Sequence, residues 1–194
     1  MTELKDWLNP INFNKDKNMM QRKMIQLKNP KTEKYNKFKT FVLSQNFPWF
    51  YYESSVIGKP KEPFFSHGFL IRPNDHLHTG GKKYPISNSV HVDHMEEVFL
   101  EIADFNGIGV NCIYRMNANV TEPLKNVERS SIHVDHYFPH KNMLIYLTDA
   151  GGKTVVDNES HNPREDDIII FEGEKHSHYY PREKRRVVLV VTYA

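Results

Sequence analysis

The sequence contains two copies of a four-residue motif, His-Val-Asp-His, whose residue types can bind a metal ion. One copy spans 91–94 and the other spans 133–136. In an extended strand, residues two apart point to the same side, so His-x-Asp can offer one imidazole and one carboxylate to a single ion. Two histidines and one carboxylate that leave other coordination positions open suit ferrous iron and oxygen chemistry. The motif therefore predicts a metal site, provided that a second histidine completes it.

The first copy lies in the wrong secondary structure for this role. It leads directly into the segment 92–105, whose apolar residues recur at the spacing of a helix. Residues two apart do not share a face of a helix, so His91 and Asp93 are not expected to bind one ion. We expect Asp93 to cap the N-terminus of this helix and the two histidines to contact solvent.

The second copy lies in a part of the chain that is rich in short strands. Apolar runs alternate there with turn residues, at 109–116, 131–134, 142–148, 154–157, 167–171, 176–180 and 186–193. This spacing predicts an antiparallel sandwich or a small barrel, in which a strand distant in sequence can supply the remaining ligand. His176 and His178 both qualify, because they lie on the same face of one predicted strand.

A charged residue opens the last predicted strand. Arg186 is followed by Val-Val-Leu-Val, where a guanidinium is costly unless it has a bound anion or an acidic partner. Its planar group can bind a carboxylate through two hydrogen bonds and keeps its proton. Arg186 is therefore a candidate anion-binding residue, and the alternative is a salt bridge at the strand end. Arg185 has the opposite parity and is expected to be exposed.

These residues together resemble the pattern of a known enzyme family. From 113 to 193 the chain resembles the double-stranded β-helix of the iron(II)- and 2-oxoglutarate-dependent oxygenases, and most of all their prolyl 4-hydroxylase-like members, including small phage and bacterial ones. Their pattern is His-x-Asp, a strand ending in Tyr and Leu, a Gly-rich turn with Thr, an apolar strand ending in Phe, a His, and an Arg or Lys about ten residues later. The matching residues are His133, Asp135, Tyr146, Gly152, Thr154, Phe171, His176 and Arg186.

The resemblance implies which residues form the metal centre. His133, Asp135 and His176 would be the metal ligands and the catalytic residues. His178 is held in reserve, because His176 lies ten residues before Arg186, as in the family, and His178 lies only eight before it. The halogenating relatives lack the carboxylate that Asp135 provides, so its presence favours hydroxylation.

The resemblance also implies which residues hold the cosubstrate. Arg186 and the hydroxyl of Tyr146 would bind the far carboxylate of 2-oxoglutarate. Tyr114, on an earlier strand, is expected at the pocket wall or at the chelating end of the cosubstrate. The alternatives on the same strand are Arg115, Met116 and Asn117.

An overall reaction follows from the same resemblance. Fe(II), 2-oxoglutarate and O2 would be required, with ascorbate as a supporting reductant, and succinate and CO2 would be the co-products. The substrate would be a prolyl or other residue of a protein, or a small molecule, and a nucleic acid is not favoured. The alternative function is a non-catalytic jelly-roll protein that binds metal or serves as a virion or adaptor component.

The length fits one domain that contains this site. We expect a single unit over 1–194, with a helical and strand support region at 1–107 and the β core at 108–194. Helices are predicted at 31–46 and 92–105 and a strand at 64–71, with both helices covering one face of a sheet. The predicted fold class is mainly β with N-terminal helices around a double-stranded β-helix, a cupin-like jelly roll.

Cysteine content, hydropathy and charge exclude several classes of protein. A single cysteine excludes an intrachain disulfide framework and a Cys-based zinc site. No apolar run approaches the length of a membrane span, so a cytoplasmic protein is expected, in the host cytoplasm if the chain is phage-encoded. Residues 1–40 hold ten basic and four acidic residues, which we interpret as solvated helix faces rather than a nucleic-acid-binding arm. Five other histidines are expected at the surface, namely His67, His76, His78, His140 and His161.

Overall fold

The computed structural model describes residues 23–54, 62–72, 85–125 and 127–194. Within these ranges the chain forms two helices, α1 (Glu33–Val42) and α2 (Val92–Phe105). It also forms eleven strands: β1 (Met24–Leu27), β2 (Phe50–Tyr52), β3 (Phe64–Ile71), β4 (Ile86–Ser87), β5 (Ile113–Thr121), β6 (Lys141–Tyr146), β7 (Thr154–Val156), β8 (Glu159–His161), β9 (Ile168–Glu172), β10 (His176–His178) and β11 (Arg186–Tyr193).

The predicted strands and helices are largely confirmed, but the segment 131–134 forms only an isolated bridge at His133 instead of a strand, and several elements differ at their ends. The strand at 64–71 and the helix at 92–105 have the predicted bounds, and the first helix is shorter than 31–46. The strand expected at 109–116 begins later and runs to Thr121, because 109–112 form a loop. The short strands β1, β2, β4 and β8 were not predicted, since two to four residues carry too little periodicity to be recognised.

The strands form two antiparallel sheets. The large sheet has the order β1-β9-β6-β11-β5-β3-β2, with β4 paired to β3, and the small sheet has the order β10-β7-β8. Isolated bridges extend the small sheet, placing Arg129 opposite Tyr179 and His133 opposite His176. The architecture is therefore a mainly β jelly roll with helices before its core, which confirms the predicted fold class.

The large sheet has two faces with different neighbours. On β11, Val187, Leu189 and Val191 belong to the core that includes the buried residues of both helices. On the opposite face of the same strand, Val188 and Val190 belong to a second core, which includes Val156 of the small sheet. Arg186 shares the parity of Val188, so it lies on the face of the sheet away from the helices.

Polar contacts fix α1 on the sheet. The side chain of Thr32 accepts a hydrogen bond from the backbone N–H of Tyr35 and so caps the helix. The Tyr35 hydroxyl donates to Asp166 Oδ1 at 2.5 Å, and Lys39 Nζ lies 2.6 Å from the same oxygen. These contacts tie the helix to the turn before β9, so the helical layer supports the strands from behind.

The first copy of the motif lies at the start of α2, as predicted, but its capping differs. His91 is the N-cap residue without a capping hydrogen bond from its side chain, and Asp93 lies in the first turn. The prediction that Asp93 caps the helix is therefore wrong. Its negative charge in the first turn nevertheless interacts favourably with the positive end of the helix dipole. His91 is half-buried, with its ring 4.6 Å from that of Phe41, and takes no part in the group of possible metal ligands.

Two of the histidines expected at the surface are buried. His67 is 5% exposed and His140 is 3% exposed, so the prediction is wrong for both. His67 Nδ1 donates to the carbonyl of Pro48, and its Nε2 accepts from the Ser89 hydroxyl, both at 2.8 Å. These bonds replace the water that the ring loses on burial. His76 and His78 lie outside the described residues.

The basic residues of the first forty positions are only partly described. Positions 1–22 lie outside the described residues. Within α1 and just before it, Lys31, Lys34, Lys37 and Lys39 form ion pairs with acidic side chains. Neither helix in the described part of the chain is long and apolar enough to cross a membrane.

Candidate metal centre

Three predicted residues meet beside the small sheet. His133 and His176 exchange both backbone hydrogen bonds, at 3.0 and 2.9 Å, which places their side chains on the same side. Asp135 follows two residues after His133 and is 5% exposed. One potential ligand atom from each of these three residues lies within 4.8 Å of the others. Among the described residues, no other group of three or more His, Cys, Asp or Glu could hold a metal ion.

The backbone sets the tautomer of both histidines. Nδ1 of His133 lies 3.0 Å from the carbonyl oxygen of Ser131, and Nδ1 of His176 lies 3.0 Å from that of Glu174. A carbonyl oxygen only accepts, so each Nδ1 carries the hydrogen and each neutral ring keeps its free electron pair on Nε2. Both rings thus offer Nε2 to an ion, and with one carboxylate oxygen this donor set fits Fe(II).

Two arginines hold Asp135 in its charged form. Its Oδ1 accepts from Nη2 of Arg115 at 2.7 Å, and its Oδ2 lies 3.5 Å from Nε2 of His176. Arg72 donates to the backbone carbonyl of the same residue. Burial acts to raise the pKa of this carboxyl, but the positive charges of Arg115 and Arg72 hold the pKa of Asp135 well below its usual range. Oδ2 is the oxygen that remains for an ion.

The structure separates His176 from His178. Both line the same cavity, but His176 faces His133 across the backbone pair, whereas His178 pairs with Thr154. Nε2 of His178 lies 3.5 Å from the Thr121 hydroxyl. Burial lowers the pKa of His178 well below its usual value, and the nearby charge of Arg186 adds to this effect. His178 is therefore a neutral residue of the cavity wall rather than a member of the three-residue group.

A cavity of about 100 Å³ connects these three residues to the predicted anion-binding residue. Arg186 is 4% exposed, and it donates from Nε to the Gly152 carbonyl at 3.1 Å and from Nη2 to the Thr154 hydroxyl at 3.0 Å. Its guanidinium carbon lies 5.2 Å from the centre of the Tyr146 ring. The Tyr146 hydroxyl is 2.7 Å from the same threonine oxygen, so these side chains form one polar cluster.

The cluster offers a positive charge without an acidic partner. No described acidic side chain forms an ion pair with Arg186, so the alternative of a strand-end salt bridge is not supported. Arg185 forms that contact instead, on the surface, with Glu122 at 3.1 Å. Burial lowers the pKa of Arg186 without changing the charge expected of a guanidinium. The cavity therefore has possible metal ligands along its wall and a buried cation to bind an anionic group.

The structure does not bring Tyr114 to the cavity. Its ring packs against Phe138 and His136, with centroids 5.0 and 5.7 Å apart. On β5 the cavity side belongs to residues of the other parity, including Arg115, which was among the alternatives. Polar and apolar residues alternate from Arg115 to Thr121, and this alternation indicates that the odd-numbered residues of β5 share one face and the even-numbered residues, including Tyr114, share the other.

Two charged residues of the site were not predicted from the sequence. Glu62 lines the cavity from just before β3, and Arg72 reaches Asp135 from just after that strand. Both act on backbone groups more than 60 residues away. Contacts of this kind leave no local spacing in the sequence.

Comparison with known proteins rests on solved structures. No protein-family model matches the chain, and neither does any curated protein. A 2OG-Fe(II) oxygenase family oxidoreductase from Burkholderia pseudomallei is similar, with a TM-score of 0.63 and 16% identity, over 89% of this chain and 85% of that one.

Two further structures are similar at lower identity. The viral collagen prolyl hydroxylase of Paramecium Bursaria Chlorella virus-1, in its 2OG complex, has a TM-score of 0.51 and 9% identity, over 89% of this chain and 96% of that one. The epimerase SnoN, in complex with Fe3+ and alpha ketoglutarate, has a TM-score of 0.50 and 10% identity, over 88% and 78%. This chain therefore has the fold of the 2OG-Fe(II) oxygenases.

Proposed function

We propose that this protein is an Fe(II)- and 2-oxoglutarate-dependent oxygenase that hydroxylates a C–H bond of its substrate. One observation carries the proposal: a single cavity is lined both by the group of His133, Asp135 and His176 and by the buried Arg186. A protein that only bound metal would not need a buried guanidinium in the same cavity, because burying that charge without an anion is costly.

The three-residue group supplies a ligand set for ferrous iron. Nε2 of both histidines and Oδ2 of Asp135 would hold the ion and leave its other positions open. When bound, iron would supply the oxidising chemistry with O2, and the 2-oxoglutarate would be converted to succinate and CO2. Arg115 keeps Oδ1 of Asp135 engaged, so this carboxylate would bind through one oxygen.

The arginine end of the cavity supplies the cosubstrate site. Arg186 would bind the far carboxylate of 2-oxoglutarate, and Thr154 orients the guanidinium through its hydrogen bond to Nη2. Tyr146 does not line the cavity, so its hydroxyl, bonded to Thr154, would act by orienting that threonine. Leu144 and Val188 line the cavity with apolar side chains, which limits water around the chain of the cosubstrate.

The substrate is proposed to be a prolyl or other residue of a protein, or a small molecule. The viral structure with a similar fold is named for collagen prolyl hydroxylation, and SnoN is named as an epimerase. These two names show that proteins of this fold act on different substrates. We base the proposal of hydroxylation on Asp135. In the halogenating relatives this carboxylate is absent and halide takes its coordination position on the metal.

A succinate assay tests the proposal. The protein with Fe(II), ascorbate and 2-oxoglutarate is expected to release succinate, faster when a peptide or small-molecule panel contains a substrate. Asp135→Ala is expected to lower release to background while circular dichroism shows a folded chain, because one ligand is lost. Asp104→Ala, an exposed change on α2, is the matched control and should behave like the unchanged protein. Release by Asp135→Ala at the normal rate, or no release with the full panel, would contradict the proposal and favour a non-catalytic metal-binding protein.

A further inference from the structure

The buried carboxylate of Glu62 lies close to His133, one of the two histidines of the group, and is connected to it through Ser131. Glu62 is 6% exposed and lines the cavity just before β3. Each of its oxygens lies 3.0 Å from the backbone nitrogen of Ser131, and Oε1 lies 2.6 Å from the Ser131 hydroxyl. Among the described residues it forms no ion pair with a cationic side chain. Within the described part of the chain, the hydrogen bonds of this carboxylate all go to one serine.

The same serine holds His133. Its carbonyl oxygen accepts the hydrogen on Nδ1 of the ring at 3.0 Å. A carboxylate bound to both the N–H and the hydroxyl of Ser131 restrains the backbone and side chain of that residue, and this restraint limits how its carbonyl can turn. Glu62 is therefore linked to the His133 ring by two sets of hydrogen bonds that the backbone of Ser131 joins.

His176 provides an internal comparison for this chain of contacts. Its Nδ1 also donates to the carbonyl two residues earlier, that of Glu174, at the same 3.0 Å. That carbonyl belongs to the turn between β9 and β10, to which the Glu62 side chain forms no hydrogen bond. The two rings therefore have the same local geometry, but only one of them depends on the buried carboxylate.

We propose that Glu62 is a positioning residue for His133, which sets the tautomer and the direction of this ring through Ser131. The proposal deepens the function proposed above and rests on it only where metal binding is concerned. The segment just before β3 thus becomes part of the metal centre, although it supplies no ligand. Substitution of Glu62 would then change the affinity for metal without altering any ligand.

The tautomer can be measured without metal. In the metal-free protein, long-range 1H–15N NMR should show the Nδ1–H form for both His133 and His176. In Glu62→Ala, the His133 ring should become a mixture of tautomers while His176 stays unchanged. Co(II) affinity in the same variant should fall about 10-fold, as for other residues that orient metal ligands. Ser131→Ala, which keeps the N–H bonds to Glu62, should show a smaller loss.

Glu128→Ala is the matched control, because Glu128 is an exposed acid three residues before Ser131. It should leave both rings and the Co(II) affinity unchanged. If the His133 tautomer is unchanged in Glu62→Ala, the proposal is overturned. Equal changes in the His133 and His176 tautomers would also overturn it, because they would indicate a general loosening of the fold around the site. If the unchanged protein binds no Co(II) but His133 alone responds to Glu62→Ala, the proposed function fails and the positioning role stands.

Discussion

His176 and His178 are two residues apart on one strand and line one cavity, yet their neighbours give them different roles. His176 lies opposite His133, beside the carboxylate of Asp135. His178 pairs with Thr154, whose hydroxyl receives a hydrogen bond from the buried arginine. The two-residue distance between His176 and His178 along β10 thus separates the proposed metal end of the cavity from the end that would hold the cosubstrate.

Alanine substitutions at these two positions should therefore have different effects. His176→Ala removes a proposed ligand and is expected to lower Co(II) affinity by about 100-fold or more, whereas His178→Ala should stay within about threefold of the unchanged protein. His178→Ala is instead expected to weaken the binding of 2-oxoglutarate to the metal-loaded protein. Titrations of Co(II) and of 2-oxoglutarate, followed by absorbance and calorimetry, check both effects. Loss of Co(II) binding in His178→Ala alone would contradict the assignment.

The sequence identifies the residues whose chemistry is visible in a few neighbouring letters. His133 and Asp135 are recognisable because alternate residues of a strand share a side, and Arg186 because a charge inside an apolar strand needs an anion. The choice between His176 and His178 is different, because the two have the same parity and only the neighbouring strand distinguishes them. Residues such as Glu62 act through distant backbone groups, which no spacing predicts.

At the scale of elements, the turn before β7 brings the backbone close to the arginine. Gly151 and Gly152 both have positive φ, at 69° and 73°. A Cβ on Gly152 would lie 2.6 Å from the carbonyl oxygen of Tyr179 and 3.0 Å from Cδ of Arg186, whereas a Cβ on Gly151 would meet nothing within 4 Å. Both positions need glycine for the backbone conformation, but only Gly152 needs it for close packing.

Alanine at these two glycines separates the two requirements. Gly151→Ala is expected to lower the free energy of unfolding by about 1 kcal/mol, through the left-handed backbone alone. Gly152→Ala should cost more, about 2 to 3 kcal/mol, because Tyr179 or Arg186 must also move. Only Gly152→Ala should weaken the binding of 2-oxoglutarate, since the added Cβ would displace the Arg186 side chain and disturb its hydrogen bond to the carbonyl of residue 152. Urea unfolding and ligand titration measure the two effects, and equal losses in both variants would contradict this account.

His67 connects β3 to the segments before β2 and before α2, and its contacts predict a pH dependence. Burial lowers the pKa of His67 below its ordinary value of 6.5, while the hydrogen bond to the Pro48 carbonyl acts in the opposite direction. The unfolded chain therefore binds a proton at a higher pH than the folded chain does. The neutral ring stabilises the fold above pH 6.5, and this contribution is lost as the pH falls toward the folded pKa.

Substitution of His67 by Gln should therefore flatten the pH dependence of stability. Between pH 7 and pH 5, the unchanged protein should lose more free energy of unfolding than His67→Gln, with a difference of no more than about 1.4 kcal/mol per pH unit. Urea unfolding of both proteins at several pH values measures this difference. Acidic residues with lowered pKa values, such as Asp166, contribute equally to both proteins. Parallel curves for the two proteins would show that His67 is not the source.

At the scale of the whole molecule, the two faces of the large sheet are supported unequally. Among the described residues, the core shared with the helices includes twenty buried apolar residues, whereas the core on the opposite face has seven. The strands of the small sheet have only three residues each. Hydrogen bonds supplement this smaller core: Arg129 donates to the Ser177 hydroxyl at 2.8 Å, and the backbone N–H of His178 donates to the Ser130 hydroxyl. Because apolar burial supplies most of the stability, the layer that carries the site should be the less stable one.

Metal and cosubstrate should selectively stabilise this weaker layer. An ion bound to His133, Asp135 and His176 would join the segment before β6 to β10, and 2-oxoglutarate would join both to Arg186 on β11. Hydrogen exchange of the metal-free protein should be faster in β7 and β10 than in β5 and β11. Addition of Zn(II) at about 100 times its dissociation constant should slow exchange in β7 and β10 by up to about 100-fold, and 2-oxoglutarate at the same excess should add a further factor of up to about 100. The helical core should change much less, because it is already protected by its own packing. Uniform slowing in all elements would instead show that the two layers unfold as one unit.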